Sequence, residues 1–359
     1  MTKQHPRHSR HKKLTPKEKQ IRQRFFAATV ITCIALAMVA GALHVVKLGA
    51  NRMEDMRDLA TYDLSDMKSR LRAAGEDIVL HREHEEQKQA ETTYAWNELD
   101  ALLSPEEWAM LDEMQRIPAG PFTMGTDSPR ADSQDRPQHV ETTAEYWIDK
   151  YPVTNAEYAR FIVSTRHRPP LDWENGAIPD GKFLHPVTMV SWYDALAYCR
   201  WESKRLPTEQ EWEKAARGTD GRRWPWGNKM DPAKLNTYYN VGSTTRIDTY
   251  TAGVSPYGMF DMAGNVSEWT ASDFTPYEGS DAATELFKPK VAKESSSPAD
   301  RSRQLADLVE VVGVYKVRRG GSWKSDPFST ATYHRNFSLP HYASDFFGFR
   351  CASYEPPAR

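Results

Sequence analysis

Hydrophobic and polar positions change pattern three times along the chain. Residues 25–48, FFAATVITCIALAMVAGALHVVKL, carry no full charge between Phe25 and Val46. About 20 residues at roughly 1.5 Å rise each cross a hydrocarbon core of about 30 Å, so this run predicts a transmembrane helix. A cleaved leader has a shorter apolar stretch, and here apolar residues continue past Ala40-Gly41-Ala42, which mimics a cleavage site. From Met53 the apolar positions become Met53, Met56, Ala60, Leu64, Met67, Leu71, Ala74 and Ile78. Alternating steps of three and four form a heptad seam on a helix. Met and Ala make a weak seam, so the spacing leaves open whether two copies pair as a coiled coil or the helix lies alone. After the polar stretch 81–91, a second helix is predicted over Ser104–Gln115, with Ser104 as N-cap, Pro105 at the first position and Glu107 at capping-box spacing.

Beyond Ile117 short apolar stretches alternate with turn clusters. Three helices stand out: Asn155–Ser164 behind Thr154, Trp192–Lys204 behind Ser191, and Glu209–Arg217 behind Thr208. The rest reads as turns and short strands, an α+β domain over 117–359 with a polar insertion at about 278–312. Eleven Trp and sixteen Tyr suit such a loop-rich fold, because each buries a large area.

A formal net charge of −2 gives no polyanion-binding signal for the whole chain. The charge is distributed unevenly, however. Residues 1–24 carry Lys3, Arg7, Arg10, Lys12, Lys13, Lys17, Lys19, Arg22 and Arg24 against Glu18 alone, whereas acids and bases mix after Gly49. The positive-inside rule then makes 1–24 a cytoplasmic tail, 25–48 the lipid-contacting span, and 49–116 an extracytoplasmic helical stalk ahead of the domain. A topology signal lying on anionic lipid explains the tail better than a nucleic-acid site. The expected location is the inner or plasma membrane, single-pass, with the domain in the periplasm if the cell is Gram-negative. Of three cysteines, Cys33 lies in the apolar run, while Cys199 and Cys351 remain for the domain, where two thiols can pair or stay free. No Cys-x-x-Cys occurs, which argues against a cysteine zinc site.

A series of collinear motifs follows: Ile117-Pro-Ala-Gly-Pro-Phe-Thr-Met-Gly125, Tyr151-Pro-Val-Thr-Asn155, Val190-Ser-Trp192, Lys204-Arg-Leu-Pro-Thr-Glu209, Glu211-Trp-Glu213 and Trp224-Pro-Trp-Gly227. Then come Gly258-Met-Phe-Asp-Met-Ala-Gly-Asn-Val-Ser-Glu-Trp269, Arg319-Gly-Gly-Ser-Trp323 and Gly348-Phe-Arg-Cys351. Over about two-thirds of the chain this resembles the formylglycine-generating enzyme (sulfatase-modifying factor) family. The resemblance implies that family's fold, an α+β domain with a C-type-lectin-like core and much irregular structure. It also implies a chemistry in which two cysteines after the Gly-Gly-Ser motif hold copper and a substrate cysteine is oxidised with oxygen. Ser325 and Thr330 stand at those two positions. A soft Cu(I) ion selects thiolates and hydroxyls do not replace them, so copper and formylglycine synthesis are not expected. An iron-binding branch of the superfamily uses three histidines. Only His81 and His84 fall within one turn here, and a solvated polar helix accounts for them.

The resemblance further implies a structural calcium loop. Asp261 and Glu268 would give side-chain oxygens, Gly264 and Val266 carbonyls; a second calcium site would begin at Asn236 and the Thr237 carbonyl. Cys199 and Cys351 match positions that pair in disulfide-containing members. Trp323, Ser325, Tyr333, His334 and Arg335 would line the former active-site cleft. The expected function is a membrane-anchored binding or accessory module for a protein, peptide or glycan of the cell envelope. The alternative is an oxidoreductase of the same family with altered metal chemistry, acting on an exported protein or small molecule.

Overall fold

The computed structural model of the chain describes residue 94, residues 96–288 and residues 314–357. The tail, the apolar run, the heptad seam, the His81/His84 pair and most of the insertion lie outside the described residues. Among the described residues no helix is long and apolar enough to cross a membrane.

Capping chemistry sets where the helices begin. A short turn, α1 (Trp96–Leu99), precedes α2 (Pro105–Leu111), α3 (Asn155–Thr165), α4 (Trp192–Trp201) and α5 (Glu209–Arg217). Ser104, Thr154, Ser191 and Thr208 each accept from the backbone N–H three residues on, and Glu107, Glu157, Asp194 and Glu211 reach back to the cap's own N–H. Each box satisfies two donors that a helix start leaves orphaned. The helix ends differ from the sequence reading. The predicted helix Ser104–Gln115 stops at Leu111, and Met114–Ile117 is instead a strand, β1. Leu99 is fully buried in the main core. Residues 96–116 therefore belong to the packed domain, and the boundary drawn at 116 moves toward the N-terminus. The reason is tertiary: β1 finds a partner strand 30 residues downstream, which no local signal announces.

The strands form three small sheets. β1 and β9 (Ala352–Ser353) flank β4 (Tyr146–Asp149), β2 (Gly120–Met124) pairs with β3 (His139–Thr143), and a four-stranded sheet runs β7-β6-β5-β8. In the last, β5 is Ser267–Asp273, β6 Lys316–Arg319, β7 Arg335–Ser338 and β8 Phe347–Phe349, with β5 and β8 parallel. Aromatic side chains fill the space between this sheet and α3 and α4. Tyr158, Tyr198, Trp269 and Phe349 are all at most 3% exposed, and the Tyr198 ring sits 5.8 Å from Tyr158 and 5.3 Å from Phe349. Rings of this size each bury about 150–250 Å², which is how short elements reach a stable core. Cys199 on α4 and Cys351 beside β9 form a disulfide.

α5 lies against the other face and its side chains are almost all buried. Its acids meet arginines from distant segments. Glu213 pairs with Arg217 at 2.6 Å and with Arg319, and Glu209 takes Arg335 at 2.7 and 2.9 Å. Beyond the helix, Glu268 binds Arg350 through both oxygens at 2.6 and 2.7 Å. These charges are affordable in the interior only because each has its opposite within hydrogen-bond reach.

Candidate functional site

The Gly-Gly-Ser segment after β6 turns sharply. Gly321 has φ 66°, and a Cβ there would lie 2.6 Å from the Ser329 carbonyl oxygen, so only glycine lets the next ten residues fold back. That fold-back brings Ser325 and Thr330 to the same turn. Ser325 Oγ accepts from the Ser322 N–H at 2.9 Å. Thr330 is fully buried; its hydroxyl donates to the Pro327 carbonyl at 2.7 Å and accepts from Trp224 Nε1 at 3.3 Å. Both hydroxyls are thus satisfied inside the protein. Neither offers the soft sulfur donor that a copper site needs, and the donor set does not fit that ion.

The other residues of the expected cleft diverge. Trp323 donates Nε1 to the Asp345 carbonyl and meets Tyr239 edge-on at 5.5 Å. Tyr238 and Tyr239, both with positive φ, hang their N–H groups on the Ser325 and Trp323 carbonyls. This pair of left-handed tyrosines is a sparsely populated geometry held by the segment beneath it. Tyr333 lies near Arg223 and Arg217. Arg335 points elsewhere, under the Tyr277 ring at 4.0 Å, and lines a cavity of about 710 Å³ with His139, Glu141, Glu209 and Tyr277. Trp323, Ser325, Tyr333 and His334 do not line that cavity.

His334 is buried, with Nδ1 2.9 Å from Asp135 Oδ2 and 3.9 Å from Asp132 Oδ2. Burial works against its charged form, but the hydrogen bond and charge of Asp135 outweigh it and hold its pKa above the ordinary value. Ligand-type atoms of Asp132, Asp135 and His334 all lie within 4.8 Å of one another. The two aspartates have no counterpart in the sequence reading. They stand about 200 residues before His334, and an Asp-x-x-Asp spacing alone has no specific meaning.

The two segments expected to hold calcium are brought together. Gly264, at φ 82°, approaches so closely that a Cβ would sit 2.3 Å from the Asn236 carbonyl oxygen. The Asn265 N–H donates to that same oxygen, and the Asn265 side chain donates to Asp261 at 2.8 Å. Asn236 donates Nδ2 to the Ser243 carbonyl, but its buried Oδ1 has no hydrogen-bond partner. An orphaned buried oxygen suits a hard cation. Thr237 follows directly, its hydroxyl donating to the Ser325 carbonyl at 2.7 Å. Val266, the residue before β5, is fully buried. Glu268 is differently placed: Arg350 and Trp212 Nε1 already occupy its oxygens, so its charge is balanced without metal. Asp261 is buried, and desolvation raises its pKa to about 7.

Residues 100–354 match the family model described as a sulfatase-modifying factor enzyme 1-like domain. Hercynine oxygenase of Mycolicibacterium smegmatis is 33% identical over 273 residues, covering 66% of this chain and 60% of its own length. The inactive C-alpha-formylglycine-generating enzyme 2 of Bos taurus is 31% identical over 297 residues, covering 67% of this chain and 87% of its own. The solved structure of PvdO from Pseudomonas aeruginosa superposes with a TM-score of 0.51 at 25% identity, covering 67% of this chain and 94% of that one.

Proposed function

We propose, from the premise that this chain belongs to the sulfatase-modifying factor enzyme 1-like family, that it is a binding or accessory module of the cell envelope without formylglycine-generating activity. One observation carries the reading: at the two positions where the family's catalysts use thiols, Ser325 and Thr330 place hydroxyls already engaged with their own turn. The partner is a protein, peptide or glycan. Residues 25–48 anchor the chain in lipid, and the stalk ahead of the domain serves for pairing with a second copy. The membrane part rests on sequence pattern and charge alone. Incubating the protein with copper, oxygen and a cysteine-containing peptide should consume no oxygen above the peptide-free control. Turnover that survives Ser325→Ala would remove the proposal. Crosslinking in membranes followed by mass spectrometry names the partner.

A structural calcium ion belongs to the same reading. Asn236 Oδ1 and the Thr237 carbonyl supply donors that fit it, and the ion would tie the 236–243 loop to the Gly264 turn. Adding millimolar calcium should raise the melting temperature and a chelator should reverse the gain. Asn236→Ala should abolish that response; a calcium shift undiminished in the variant would place the ion elsewhere.

A second reading, an oxidoreductase with altered metal chemistry, is favoured by the grouping of Asp132, Asp135 and His334. Two carboxylates and an imidazole suit a divalent first-row metal. Elemental analysis decides between the two: stoichiometric iron or manganese lost in His334→Ala would support the enzyme.

A further inference from the structure

Among the described residues β3 has an open edge. It pairs with β2 alone, in antiparallel register, and Pro121 stands opposite Thr142. Proline has no N–H, so that pair cannot be one that exchanges hydrogen bonds. The exchanging pairs are then Gly120 with Thr143, Phe122 with Glu141 and Met124 with His139. By the alternation of an antiparallel ladder, Val140 and Thr142 direct their N–H and C=O groups away from β2. Val140 is 73% exposed.

Beside this edge lies the cavity of about 710 Å³. One wall is residues 139–141 of β3, and the other comes from the segment 272–278 at the end of β5. Two of the acids that line it are engaged, Glu209 with Arg335 at 2.7 and 2.9 Å and Asp273 with Lys316. The other two are Glu141, half-buried on β3 with His139 at 3.6 Å, and Glu278, exposed on the facing wall. The Tyr277 ring, edge-on to His139 at 4.6 Å, lines the same space.

An extended chain laid beside β3 closes the outward N–H and C=O groups of Val140 and Thr142, and its side chains alternate between the cavity side and the opposite face. A basic side chain entering the cavity meets a carboxylate from each wall, whereas an acidic one is repelled by both. Charges on an edge strand also discourage unselective pairing, so the same acids that admit a basic strand refuse others. A glycan would leave the strand edge unused.

We propose that the β3 edge and the adjoining cavity dock an extended peptide segment of the partner, added as a third strand, with a lysine or arginine side chain held by Glu141 and Glu278. The proposal rests on the reading of the chain as a binding module and selects the peptide among its partners. It uses neither Ser325 nor Thr330, so the oxygen assay above and the titration below fail independently.

The test uses the full-length protein and a dye-labelled peptide of alternating lysine and threonine, acetylated and amidated, with binding read by fluorescence anisotropy. One control peptide has glutamate for lysine; another keeps lysine but is N-methylated at every amide. The lysine peptide should saturate and weaken with added salt, and the glutamate peptide should not bind. N-methylation should weaken binding at least about tenfold, because it removes the strand's donors. Glu141→Gln combined with Glu278→Gln should cost about tenfold and flatten the salt dependence. Val140→Pro removes an outward N–H while sparing the bonds to β2, and should weaken the lysine peptide without changing the far-ultraviolet spectrum. If that variant fails to fold, the N-methylated peptide reports the same backbone contact on the parent chain. Absence of lysine-peptide binding, binding unchanged in the double glutamine variant, or equal binding of the N-methylated peptide overturns the proposal. A neutral N-acetylglucosamine tetramer that raises the melting temperature where the lysine peptide does not bind would overturn it in favour of a glycan.

Discussion

At the scale of single residues, the interior of this domain depends on charges that are matched. Glu213 is fully buried; Oε1 accepts from the Gly125 N–H at 2.9 Å and from Arg217 at 2.6 Å, while Oε2 takes Arg319. Glu213→Gln keeps the shape and one acceptor but leaves Arg217 without its counter-ion and Arg319 with Glu209 alone, at 3.2 Å. Breaking one side of a buried pair costs about 3–5 kcal/mol, so the variant should lose roughly that much in chemical denaturation. Adding Arg217→Met should recover a part, since the stranded charge is removed with its partner. A single substitution costing under about 1 kcal/mol would mean that water reaches the pair. The sequence alone hides this network. In EQEWEKAAR nothing local shows that Arg319 arrives from 106 residues away. The hydroxyls of Ser325 and Thr330 are read directly by counting from the Gly-Gly-Ser motif, whose turn the structure then shows. The approach of Asp135 to His334 is not read this way, because it depends on how a loop folds back.

At the scale of elements, helix starts were legible and strand partners were not. A capping box is a statement about four consecutive residues; the box predicted at Ser104 and Glu107 forms, and the residues ahead of the other three predicted helices, Thr154, Ser191 and Thr208, close boxes as well. The end of α2 and the identity of β1 depend on Tyr146–Asp149, and the pairing appears only once the chain folds. One of those boxes carries a pH signature. Glu157 Oε2 accepts from the Thr154 N–H at 2.7 Å and from its hydroxyl at 2.6 Å, yet burial raises the Glu157 pKa to about 8. The unfolded value lies near 4.3, so the folded state holds the proton more tightly. Between those two values the unfolded chain is ionised while the folded chain must stay protonated or bear a buried charge. Stability contributed by this group is therefore full below about pH 4 and falls as pH rises to about 8. Glu157→Gln keeps an acceptor for the cap and has no proton to lose. It should flatten that slope and, near pH 8.5, exceed the parent by about 1–2 kcal/mol, only a part of the full linkage because the side chain is partly exposed. Urea melts at pH 5 and 8.5 test this, and parallel slopes for the two proteins would refute it.

At the scale of the whole molecule, a domain whose described residues form three small sheets and five helices needs ties between parts distant in sequence. The Cys199–Cys351 disulfide is the covalent one, joining α4 to the segment beside β9 across 152 residues. It runs parallel to weaker ties at the same place. The Cys351 N–H donates to Asp149, the Asp149 N–H to the Cys351 carbonyl, and Arg205 exchanges backbone hydrogen bonds with Ala352. The bridge therefore fastens the C-terminal strand to a core that already holds it, and its effect lies chiefly in the unfolded chain. In the loop-entropy account, closing a loop this long restricts the denatured state by about 5 kcal/mol, an upper bound that native contacts and residual structure reduce. Replacing both cysteines by alanine should lower stability by about 2–4 kcal/mol. The far-ultraviolet spectrum should stay unchanged, because Asp149, Arg205 and Ala352 keep β9 in register. The control is redox: a reductant should bring the parent to the variant's midpoint and leave the variant unmoved. If β9 instead detached in the variant, protease would cut after Arg350 in otherwise folded protein. The backbone ties would then be the consequence of the disulfide and not its partners.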